Sequence, residues 1–223
     1  MSNLFHKRST RSHVYYITNE IFSAVTHGIG LILAIIGTIL ILVKAIRQTS
    51  PTKTSLIAYT IYGSTLIFLY LCSTLFHSLY FTKARHVFQI LDHSSIFLLI
   101  AGTYTPFCLL GVAGKQGWIL LSVIWLITIA GIVYKIFNIG HHPFIDTFLY
   151  VLMGWMVVII MKPLQLKIGE KGILLLLAGG IAFTVGALIY TMQGIKYIHV
   201  IWHIFVMIGT ILMFLAAYFY LWR

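Results

Sequence analysis

The chain reads as long apolar runs separated by short polar breaks. An α-helix needs about 20 apolar residues in a row to cross a bilayer, whereas membrane strands alternate apolar and polar positions. Seven such runs lie at about 21–43, 55–80, 86–110, 118–134, 143–161, 172–192 and 198–222. The pattern predicts an all-α, polytopic membrane protein, a seven-transmembrane-helix bundle forming one domain over 20–223. A polar, basic tail over 1–19 precedes it. Breaks are expected at 44–53, at 111–117, at 138–143 and, most polar of all, at 162–171. Pro51, Pro106, Pro143 and Pro163 fall at or near run ends, where a missing N–H is least damaging to a helix. Gly30, Ala34 and Gly37 form a stripe of small residues that lets membrane helices approach closely.

Composition sharpens this reading. Only 9% of residues are charged and 60% are hydrophobic, against about 25% charged in a soluble domain. The net charge is +11, yet the basic residues sit almost wholly in the breaks, where a multi-span protein meets headgroups and solvent. Membrane lipids, rather than a nucleic acid, are the expected partners. Basic residues number seven on the N-terminal side and eight on the other, so the charge balance alone does not orient the chain. No cleavable signal peptide is expected, because the first apolar run is longer than a signal core. Cys72 and Cys108 fall near opposite ends of their runs and are expected to pack rather than to pair.

With seven spans, the starts of the odd-numbered spans and the end of the second lie at one membrane face. Glu20, His27, Ser73, His77, Asp92, Asp146, His199 and His203 occupy those positions. Ligating or charged side chains inside apolar runs are costly and mark functional sites by default. His199 and His203 are one helical turn apart, so both imidazoles can reach one ion. No Glu follows His199, which excludes the helical zinc-protease motif. His77 is the natural third ligand, and three histidines leave a fourth position open, as in a catalytic zinc site. Asp92 could hold or deprotonate a water there, and Ser73, one turn from His77, could orient that water or a substrate carbonyl. Each residue taken alone could equally be a hydrogen-bonding link between helices; it is the joint set at one level that points to a metal. Glu20 and His27 could support the ligands or simply pack and cap helices. His93 is turned about 100° from Asp92 and is expected to pack or face the interface. His141 and His142 are expected to be solvated, and Asp146 to be a charge at a helix N-terminus.

Glu20 to His27, Ser73-x-x-x-His77, Leu91-Asp92-x-Ser94-Ser95-Ile96 and His199-x-x-Trp202-His203 together resemble the hemolysin III family, grouped with the adiponectin and progestin receptor proteins. The resemblance spans nearly the whole chain. It implies a zinc ion held by His77, His199 and His203 with Ser73 and Asp92 at its water. It also implies a cell-membrane location with the N-terminus in the cytoplasm, which puts the C-terminus of a seven-span chain outside. The wider group includes ceramide-hydrolysing enzymes, which extends the expectation to a zinc-dependent hydrolase of a lipid-like amide or ester. Two alternatives stand beside it: a cytolysin, and a receptor-like or membrane-homeostasis protein in which zinc is structural.

Overall fold

The computed structural model describes residues 13–48, 52–141, 143–192 and 194–222. Among these residues every regular element is helical. Helix α1 spans His13–Ile46, α2 Lys53–Ser78, α3 Arg85–Pro106, α4 Gly114–Asn138, α5 Pro143–Trp155, α6 Met161–Thr191 and α7 Ile198–Tyr220. A π-helical turn, Phe107–Val112, continues α3, and a 3-10 segment, Met156–Ile160, joins α5 to α6. Large apolar side chains such as Ile32, Leu126, Ile129 and Leu174 point outward along the middle of the helices. That arrangement suits hydrocarbon and not water.

Several boundaries differ from the sequence reading. Residues 13–19, expected in the tail, are helical, and 1–12 lie outside the described residues. The α-helical part of α3 ends at Pro106, but the chain stays helical beyond it as the wider π-helical turn to Val112. The polar stretch 162–171, expected as a loop, is helical except at Gly169. Pro163 sits in the first turn of α6, where the N–H that proline lacks would have had no helical partner. Gly169 breaks the helix with φ 70 and ψ 177, a conformation that a side chain would oppose. On length and apolar composition six stretches can cross a membrane, with Phe144–Thr191 counted once as a 48-residue stretch. The expected count of seven is therefore not reached on this criterion, because the break between the fifth and sixth runs is a single residue.

Contacts fix the direction of each segment. Tyr150 of α5 donates to the His93 carbonyl at 3.0 Å, and Tyr104 donates to the carbonyls of Met153 and Gly154 at 2.9 Å. Helix α5 therefore runs in the same direction as α3. Leu164 and Leu221 both approach Gly111, at the far end of α3. Beyond Gly169 the chain runs back along α7, with Gly179 against Met213 and Gly186 against Phe205 and Trp202. Tyr190 finishes with its ring 5.5 Å from that of His199.

The larger apolar core fills the far half of the bundle, around Tyr59, Phe107, Ile124, Leu164 and Ile168. A smaller cluster, with Leu66, Leu69, Tyr70, Leu99 and Val206, lies nearer the other end. That second cluster carries the polar residues described next.

Candidate metal centre

Helices α1, α2 and α7 meet where the topology placed the polar residues. His77 is in the last turn of α2, and His199 and His203 are in the first two turns of α7. One nitrogen from each of the three rings lies within 4.8 Å of the others. The Nε2 atoms of His77 and His199 are 3.1 Å apart. Ligating nitrogens of a tetrahedral zinc site would be about 3.3 Å apart. The trio is thus looser than an occupied tetrahedral site, with one pair of nitrogens already at ligand spacing.

The supporting bonds select the ligating atoms. His77 Nδ1 lies 2.7 Å from Glu20 Oε2, and Asn19 donates to the other carboxylate oxygen at 3.1 Å. A carboxylate accepts, so His77 carries its proton on Nδ1 and presents the Nε2 lone pair toward His199. His203 Nδ1 lies 3.2 Å from the Ser23 carbonyl and 3.2 Å from Thr26 Oγ1. Donation to that carbonyl likewise leaves Nε2 free. The donor set thus fits a divalent ion that prefers imidazole nitrogen.

His27 joins by stacking. Its ring lies 3.5 Å from that of His203 at 11°, and the Tyr70 ring meets it edge-on at 5.0 Å. Tyr70 is pinned by a 2.6 Å bond between its hydroxyl and Thr210. It fits there because Gly30 has no side chain; a Cβ at that position would collide with the Tyr70 ring. The small-residue stripe thereby serves the site as well as the packing. Both nitrogens of His27 lack a hydrogen-bond partner among the described residues.

Ser73 and Asp92 line a cavity of ≈ 440 Å³ together with His27, His199 and His203. Its deeper wall is apolar, from Leu69, Ile96, Phe183 and Val206. The Ser73 hydroxyl is buried with no partner among the described residues. Asp92 Oδ2 is 3.5 Å from His93 Nδ1, and its backbone carbonyl accepts from Ser95 at 2.5 Å. His93 packs with its ring 6.3 Å from that of Phe76, as expected, and also borders the cavity next to Asp92. His141 is exposed as expected, and His142 lies outside the described residues.

Two features escape a reading by spans. Asp146, expected to be a simple N-terminal charge, is buried and paired with the fully buried Lys135 of α4. The signal was available: a lysine and an aspartate flank one short break. Tyr197, just before α7, adopts a left-handed conformation with φ 56. Its N–H donates to the Tyr15 hydroxyl at 3.3 Å, and its own hydroxyl lies 3.1 Å from Thr18. These bonds tie the start of α1 to the turn that aims His199.

Fold and site together define a multi-pass helical membrane protein with a buried three-histidine group able to hold a metal ion. A family model described as Haemolysin-III related matches residues 15–214, and the chain belongs to the hemolysin III family. Hemolysin-3 of Bacillus cereus is 43% identical over 205 residues, 92% of this chain and 93% of that one. The Hemolysin-3 homolog of Bacillus subtilis (strain 168) is 40% identical over 207 residues, 93% and 96% of the two chains. The monocyte to macrophage differentiation factor of Homo sapiens is 26% identical over 204 residues, 89% and 82% of the two chains.

Proposed function

We propose that the chain is a zinc-dependent hydrolase of a lipid-like amide or ester, working inside the membrane. The observation that carries this reading is the junction of two things: a supported trio of imidazoles, and an apolar cavity whose polar wall includes Asp92 and Ser73. His77, His199 and His203 would hold the ion, with Glu20 fixing the tautomer of His77. When bound, zinc supplies Lewis acidity toward a carbonyl oxygen and makes water at the site more acidic. Asp92 accepts the proton of the attacking water and returns it to the leaving amine or alcohol as the C–N or C–O bond breaks. Ser73, buried in the wall of the same cavity, donates a hydrogen bond to the substrate carbonyl or holds the water. The apolar wall binds the acyl portion and keeps bulk water out.

The same reading includes seven crossings with the N-terminus in the cytoplasm and the C-terminus outside. Support for seven comes from the opposite directions of the chain before and after Gly169. Residues 143–168 and 169–191 are each long enough to cross alone at 1.5 Å per residue. A cytolytic reading also has an observation in its favour, the hemolysin names of the Bacillus relatives.

Lipid profiles of cells overproducing the wild type and Asp92→Ala test the hydrolase. Loss of a general base costs about 10²–10⁴ in rate, so the amide or ester consumed by the wild type should persist in the variant. Identical profiles would remove the hydrolase, and lysis retained by Asp92→Ala and by ligand variants alike would favour the cytolysin.

A further inference from the structure

We infer that Tyr197 is a positioning residue for the metal centre, clasped by Tyr15 and Thr18 so that α7 starts with His199 aimed at the ion. This role presupposes the ion that the proposed function places on His77, His199 and His203.

Helix α1 provides none of the three imidazoles, yet it steadies two of them directly. Glu20 holds His77, while Ser23 and Thr26 hold His203. Among the described residues His199 has no such bond, and its one hydrogen-bonding contact is the Nε2 of His77. The ring of Tyr190 packs 5.5 Å from it. Its aim therefore depends on where the backbone of α7 begins, two residues before it.

That start is fixed by Tyr197. Its left-handed conformation, φ 56 and ψ 24, is an outlier for a bulky residue and persists only where surrounding contacts impose it. The contacts come from α1. Tyr15, Thr18 and Phe22 fall on one face of that helix, at i, i+3 and i+7. The Tyr197 ring lies 5.2 Å from that of Tyr15 and 5.8 Å from that of Phe22. Thr18 shares its hydroxyl proton between the carbonyls of Val14 and Tyr15, at 2.9 and 3.1 Å. The Tyr197 hydroxyl is therefore the donor in its 3.1 Å bond to Thr18. The Tyr197 N–H donates to the Tyr15 hydroxyl at 3.3 Å, and its carbonyl accepts from Ile201 in the first turn of α7 at 3.0 Å. Without the clasp the backbone would leave the left-handed region, and the turn that carries His199 would move with it. His203, one turn further on, has its own bonds to α1. The clasp thus acts on one ligand of the three.

Cobalt(II) is the probe, a stand-in for zinc whose visible bands report the number and geometry of its ligands. Affinity is read by competition with a chelator on purified full-length protein in detergent. Tyr197→Ala should weaken cobalt about 10–100-fold and dim the bands of the tetrahedral ion. In a His199→Ala background the same substitution should cost less than about twofold, because the ligand it acts through is gone. Tyr197→Phe keeps the ring and loses one hydrogen bond, so it should cost only about two- to tenfold. Thr18→Val removes that bond from its other end, and the two substitutions together should cost no more than either alone. Equal costs of Tyr197→Ala in both backgrounds would show a general loss of fold and overturn the clasp. Wild-type affinity in Tyr197→Ala, or in Tyr197→Phe should the alanine variant not fold, would overturn it too. A wild type that takes up no cobalt would remove the three-histidine centre itself, and the clasp with it. No hydrolysis is measured, so a protein that cleaves no lipid would leave the clasp standing.

Discussion

The two ends of the bundle solve the problem of buried polarity in different ways. At the far end, polar groups are settled against aromatic rings and carbonyls. Lys44 donates to the Tyr218 carbonyl and lies 4.3 Å from the centre of the Tyr218 ring. Tyr59 stacks on Trp222 at 4.5 Å. Lys44 also lies 5.4 Å from the Trp222 ring, so these groups meet through ring contacts. At the site end, the groups are linked: Asn19 to Glu20, Glu20 to His77, His77 to His199, and His27 against His203. The lesson is one of propagation. A change at the far end alters packing locally, whereas a change at the site end alters the tautomer or the aim of the next imidazole.

The strongest way to break this contrast is His203→Ala. With one of three ligands gone, zinc should fall from about one per chain to a small fraction by elemental analysis of purified protein. Equal metal in variant and wild type would take His203 out of the centre.

A smaller effect is expected from Glu20→Ala, which touches no ion. It removes the acceptor that holds His77 in its tautomer. Zinc affinity, read by competition with a chelator, should weaken about 10–100-fold. An unchanged affinity would mean that the carboxylate only packs α1 against α2, and the linked character of this end would be lost.

The smallest effect is assigned to the far end. The Tyr59 hydroxyl is buried and has no partner among the described residues. Tyr59→Phe should leave the zinc content alone and move thermal stability by no more than about 0.5 kcal/mol, or raise it slightly. A large loss of metal in this variant would show the two ends to be coupled, contrary to the comparison.

Much of the site was legible because helix geometry is regular. The four-residue spacing of His199 and His203 determined that both imidazoles leave α7 on one face. Counting apolar runs brought His77 and Glu20 to the same end, since each crossing reverses the chain. The stripe of Gly30, Ala34 and Gly37 likewise announced a close helix contact. The all-helical, membrane-spanning character followed from run length alone, because a backbone in hydrocarbon must satisfy its own hydrogen bonds.

What periodicity cannot supply is the rotation of one helix against another. Glu20 could have capped or packed; only its 2.7 Å approach to His77 makes it the partner of one of the three histidines able to hold a metal ion. His27 was equally open until α1 and α7 stacked it on His203. The pairing of Lys135 with Asp146 depends on how a short turn folds back, and residue spacing says little about that. The run at 162–171 misled for a related reason: polar residues lower hydropathy without breaking a helix, and only the backbone at Gly169 decides where the direction changes. Sequence alone determined which side chains reach one end of the bundle, since that is set by distance along each helix. Tertiary structure decided which of them touch, because contact depends on the angles about the helix axes that packing alone fixes.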